Sequence, residues 1–207
     1  PRLDIRASMT PPPFAALAVI AFLFATPAAA EPPVWIVKDA DSTIVLFGAV
    51  HVLPKDLAWR PKALDDALAH ADDLWFETPV DPDSQAEASR AAQANGYLPD
   101  GQALEDLLTP TGRERLARVT TRLGLAPGAL GRVRPWLADV TLGVVALNQQ
   151  GASVDNGVER TLSAAAAPTA ARRAFETSTQ QIGFFADAPL ADQLASLEDT
   201  LKQLDED

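Results

Sequence analysis

The 207-residue chain has no cysteine, so disulfides, thiolate chemistry, cysteine-held zinc and cysteine-linked lipid anchors are all excluded. It has only two histidines, one methionine and one tyrosine. It is also poor in positive charge, with 17 Lys and Arg against 28 Asp and Glu, a net charge of −11. Nucleic-acid binding needs clustered basic residues, and adhesion to anionic lipid needs the same, so both are disfavoured. The acids are dispersed, as expected of a solvated surface. There is no G-x-S-x-G elbow for a nucleophilic serine and no glycine-rich phosphate loop.

What is present is a single long organising stretch, Ile44-Val45-Leu46-Phe47-Gly48-Ala49-Val50-His51. Four consecutive large apolar residues predict a strand buried on both faces, as in a parallel or mixed sheet. The run breaks at Gly48 and delivers His51 beyond the strand's carboxyl end, where α/β sheets bind ligands. An imidazole there is both a proton carrier and a metal ligand near neutral pH. The bland alternative is a hydrogen-bonded histidine that closes a strand.

Residues 1–30 read as a secretory signal: Arg2 and Arg6 at the start, an uncharged apolar stretch over residues 14–25, and small residues at Pro27-Ala28-Ala29-Ala30 for cleavage. Cleavage after Ala30 predicts a periplasmic or secreted protein with no stable membrane span, and a domain over residues 31–207. Trp35-Ile36-Val37 is a short strand that pairs with the central one as a hairpin across Lys38-Asp39-Ala40-Asp41. Pro61 starts a helix with Leu64, Ala67, Leu68 and Ala71 on one face. His70, beside Asp72 and Asp73 at its end, is a surface histidine. Asp73 to Glu77 is the next strand, giving a βαβ unit. Glu77 lies at that strand's carboxyl end, so it shares an edge with His51 if the two strands are parallel neighbours.

Residues 84–148 read as a large helical insertion. One helix closes at Asn95-Gly96, one opens at Thr109-Pro110 and closes at Gly124, and one opens at Pro135. Arg134 and Trp136 read as packing. Asn156-Gly157-Val158-Glu159 precedes an alanine-rich helix broken by Pro168. Arg172 to Phe175 is a weak strand that ends, like the earlier one, in a carboxylate, Glu176. From Pro189 a last helix carries Leu190, Leu194, Leu197, Leu201 and Leu204 on one face. That stripe needs a surface to cover: the sheet, a partner, or chain that follows. Left uncovered, it would mark a degraded remnant of poor stability.

The ordered set Pro33-Val34-Trp35, Leu46 to His51, Phe76-Glu77, Arg134-Pro135-Trp136, Gly157-Val158-Glu159 and Phe175-Glu176-Thr177 with Gln181 resembles the TraB/GumN family, related to the Tiki proteases. The resemblance runs from about Pro33 to the end. It implies an α/β fold, a mixed central sheet with βαβ units and a large helical insertion, of the erythromycin-esterase/ChaN-like kind. It also implies a metal-dependent hydrolase site using a divalent ion, manganese or cobalt, and acting on a peptide or a small amide or ester. By position, Gly48 and His51 match the first GxxH, Glu77 the strand-end glutamate, and Glu176 the later Glu-Thr. Glu159 stands where many members carry aspartate. The implied metal ligands are His51, Glu77 and Glu176, with Glu77 and Glu176 as the acid–base groups. The family's second GxxH is absent, since no other glycine precedes a histidine at that spacing. The expectation is therefore a C-terminally incomplete domain or a shortened relative. The alternative function is a non-catalytic binding or accessory protein on the same scaffold, in polysaccharide export or peptide-signal handling.

Overall fold

A computed structural model describes residues 31–206. The signal-sequence reading of residues 1–30 lies outside the described residues. The class is α/β, and the helices dominate it.

Strands β1 (Val34–Lys38) and β2 (Thr43–Phe47) form an antiparallel hairpin, paired from Val34↔Phe47 to Lys38↔Thr43. Its turn is closed by Asp39, whose carboxylate accepts from the Ser42 hydroxyl and amide and the Asp41 amide. The short strand β3 (Leu53–Pro54) pairs antiparallel with β5 (Ala152–Ser153). Helix α1 (Lys62–Leu68) follows Pro61, which is extended and ends the preceding loop. Strand β4 (Asp73–Phe76) runs parallel to β6 (Ala171–Ala174), in register Asp73↔Ala171 to Phe76↔Ala174.

Among the described residues, the strands make three two-stranded ribbons rather than one hydrogen-bonded sheet. Two expectations are corrected by this. The partner of β4 is β6, not β2, so the βαβ unit closes through the later strand. The apolar run in β2 is not buried on both faces: Trp35, Val37, Ile44 and Leu46 lie on one side of the hairpin and are each more than half exposed. A run of apolar residues reports what a strand can bury. It does not report which layers flank it. On the other side of the hairpin, Phe47 packs against Trp59 with ring centroids 5.9 Å apart.

The helices are α2 (Pro82–Asn95), α3 (Leu104–Leu107), α4 (Pro110–Arg122), α5 (Pro135–Gln149), α6 (Val158–Ala165), α7 (Ser178–Ala186) and α8 (Leu190–Glu206). Their starts follow local chemistry. The Asp81 carboxylate accepts from Ser84 N at 2.9 Å, and the Thr109 hydroxyl accepts from Gly112 N at 3.0 Å, each satisfying an otherwise free helix-start amide. Thr177 and Gln180 form a reciprocal capping box on α7. Helix α4 ends before Gly124, whose φ of +67° needs a residue without a Cβ.

Two separate cores result. The larger gathers Leu104, Leu116, Val119, Leu142, Leu197 and Leu201 from the helical body. From Leu194 to Leu204 the leucine stripe of α8 is therefore covered by α4 and α5 of the same chain, while Leu190 at its start stays exposed. Arg134 and Trp136 are packing groups, as expected: they bind the Asn95 carbonyl, and Arg134 also binds the Ala186 carbonyl at 2.8 Å, joining the ends of α2 and α7 to the start of α5. The smaller core holds Leu68, Leu74, Phe76, Ala166 and Ala170 behind the β4–β6 ribbon. The candidate site lies beside this smaller core.

Candidate functional site

Three chain segments meet at His51. The first is the loop after β2. The second is the start of α6, where Val158 N donates to Val50 O at 3.0 Å. Gly157 makes that approach possible, because a Cβ there would run into the His51 carbonyl oxygen. The third is the carboxyl end of the β4–β6 pair, which continues past the strands: Phe175 N donates to Phe76 O and Glu176 N to Glu77 O, both at 3.0 Å.

These backbone contacts fix the side chains. Oε1 of Glu159 lies 2.7 Å from Nδ1 of His51. On the other side of the ring, Oε2 of Glu77 lies 3.7 Å from Nε2. The second oxygen of Glu77 is also occupied, accepting from Gln181 Nε2 at 2.8 Å. The His51 and Glu77 side chains are 60% and 53% exposed, whereas that of Glu159 is only 10% exposed. A solvent-exposed His–Glu pair thus rests on a buried carboxylate.

Of the sequence-selected residues, His51 and Glu77 are brought together. Glu176 is placed beside Glu77 by its backbone, and its Oε2 is buried without a hydrogen-bond partner among the described residues. Its carboxylate makes no ion pair with His51 there. His70 is on the surface as expected, its Nδ1 2.8 Å from the Asp66 carbonyl. Glu159 was legible only as a motif position. The signal that it touches His51 is the glycine two residues before it, since an invasive backbone contact needs a residue without a side chain.

A model of the TraB/PrgY/gumN family matches residues 33–207. The chain belongs to this family. No curated protein and no solved structure matches the chain.

The donor chemistry of this TraB/PrgY/gumN member partly fits the divalent ion that the resemblance implies. Nε2 and Oε2 are a nitrogen and a charged oxygen facing each other, the mixed set that borderline divalent ions accept. A carboxylate on the opposite ring nitrogen is the usual support of a ligating histidine. Among the described residues, however, no three His, Cys, Asp or Glu side chains converge into a ready cage. The protein supplies two facing donors, and water would complete such a set, as manganese and magnesium commonly tolerate.

Electrostatics follow the geometry. The hydrogen bond to Glu159 raises the His51 pKa above its ordinary value, against partial burial, and the charges of Glu159 and Glu77 add to the rise. Burial pushes the Glu159 pKa up, but His51 and the backbone outweigh it, leaving the carboxyl below its ordinary value. A ring whose pKa rises on folding binds protons more tightly when folded, so its contribution is full below the unfolded value of about 6.5 and fades as pH climbs through the folded value. Glu159 contributes fully above about 4.3 and loses this as pH falls through its lowered folded value. In chelator-treated protein, the stability gap between wild type and His51→Ala is therefore expected to be widest between these limits and to shrink toward alkaline pH. Urea titrations at a series of pH values measure it; a gap that grew with alkalinity would contradict the ion pair.

Proposed function

We propose that this TraB/PrgY/gumN protein is a divalent-metal-dependent hydrolase of peptide or small amide or ester bonds, acting in the periplasm or outside the cell. One observation carries the reading. Nε2 of His51 and Oε2 of Glu77 face each other at 3.7 Å, while the other polar atom of each is already engaged, Nδ1 by Glu159 and Oε1 by Gln181. Two donors are left aimed at a common point and held there from behind. The exported location rests on the basic and apolar pattern of residues 1–30.

His51 Nε2 and Glu77 Oε2 would hold the ion. When bound, it supplies a Lewis acid that lowers the pKa of water and polarises a carbonyl. Gln181 keeps Glu77 from rotating away. Glu176, held at the same strand end beside Glu77, takes the proton as water adds to the carbonyl carbon. The same proton then passes to the departing amine or alkoxide as the carbon–heteroatom bond breaks.

Manganese(II) titration followed by electron paramagnetic resonance tests this, because bound ion loses the sharp signal of the free aquo ion. Saturable binding by wild type is expected, with loss in His51→Ala and in Glu77→Ala. Both side chains are largely exposed, so circular dichroism should remain unchanged. Wild type that leaves the free-ion signal intact would overturn the reading and favour the non-catalytic binding protein.

A further inference from the structure

We infer that Glu159 is a positioning residue that holds neutral His51 in the tautomer with its proton on Nδ1, leaving the Nε2 lone pair directed at Glu77. The inference deepens the hydrolase reading but does not require a metal, since the same lone pair serves a base as well as a ligand. His51 stands between two carboxylates that compete for one ring proton. Glu159 is the nearer, at 2.7 Å against 3.7 Å. It is also the better shielded: a carboxylate buried among apolar groups attracts a proton donor more strongly than one in water. Its Cα is fixed by backbone contacts. It is the second residue of α6, whose first amide is tied to Val50 O, and Gly157 lets the helix start press against the His51 carbonyl. Oε1 of Glu159 is buried with no hydrogen-bond donor in line with it among the described residues, and His51 Nδ1, 2.7 Å away, is the polar group beside it. Glu77 already accepts from Gln181 and faces solvent, which weakens its claim on the ring proton.

With only two histidines in the chain, nitrogen-15 NMR on a His70→Gln background reports His51 alone. The spectrum is taken on metal-free protein, on the alkaline side of the ring's titration. Wild type is expected to carry the proton on Nδ1. Glu77→Ala is expected to leave it there. Glu159→Ala is expected to move it to Nε2, because Glu77 becomes the remaining carboxylate on the ring. Manganese affinity, where wild type binds, is expected to fall about 10–100-fold in Glu159→Ala, the usual effect of losing such a partner. A wild-type proton on Nε2 or an unchanged tautomer in Glu159→Ala overturns the assignment. If Glu159→Ala does not fold, the wild-type and Glu77→Ala spectra decide it. Absence of manganese binding would sink the hydrolase reading while leaving the tautomer readable.

Discussion

Leu201→Ala is expected to lower the unfolding free energy by about 4 kcal/mol, toward the upper part of the range for buried Leu→Ala changes. Leu201 is fully buried on α8, within the cluster that Leu116 and Val119 of α4 and Leu142 of α5 also form. The cost depends on whether the walls of the cavity can close. Here they are held by polar ties on both sides. Glu198 of α8 accepts from Thr109 N and its hydroxyl at 2.8 and 3.0 Å, at the start of α4. Arg118 of α4 makes a two-pronged contact with Asp205 at 2.9 and 2.7 Å. Ser196 donates to Asp139 of α5 at 2.6 Å. These contacts keep the three helices apart at the spacing a leucine requires, so most of the void persists. Leu190→Ala, on the exposed start of the same helix, should stay within about 0.5 kcal/mol of wild type. Urea unfolding with an unchanged slope measures both, and equal effects would show that the stripe is not held as described.

Gly157→Ala is expected to cost about 2–3 kcal/mol and to weaken manganese binding in the same variant. The added methyl meets backbone on two sides, the carbonyls of His51 and Val154, and no side chain can swing away to make room. Relief requires α6 to retreat, which lengthens the Val158–Val50 hydrogen bond and draws Glu159 off the imidazole. The control is Gly48→Ala. That glycine belongs to the motif that carries His51, yet a Cβ there meets nothing within 4 Å, so it should change stability by less than about 0.5 kcal/mol. Paired denaturation and manganese titrations separate the two glycines; a neutral Gly157→Ala would mean the helix start is not seated against the loop.

The contrast between these glycines shows what the sequence disclosed. Helix ends were readable because their chemistry is local: Thr109-Pro110, Asn95-Gly96 and Pro135 sit where the helices start or stop. His51 and Glu77 were readable as a pair because each ends an apolar run. The link that orients His51 was not, since it depends on a glycine contact across most of the domain. Strand pairing failed for a related reason. In β4, Leu74 and Phe76 face the smaller core, but an apolar strand offers a face and never names a neighbour, so β6 rather than β2 came to lie beside it. The leucine stripe of α8 likewise announced an apolar face without saying that α4 and α5 would cover it.

The joining of distant segments at His51 also bears on the order of assembly. The contacts of Glu159 with His51 and of Gln181 with Glu77 each bridge more than a hundred residues. Closing loops of that length costs entropy before any contact repays it, and such contacts mature late along a folding route. During vectorial synthesis, His51 and Glu77 emerge long before either supporting residue exists. The nascent chain therefore carries His51 and Glu77 unaimed, and the arrangement around them is complete only once residues 157–181 have been made and docked. The helical body waits in a similar way, since α4 and α5 each pack chiefly on α8, which is made some eighty and fifty residues after them.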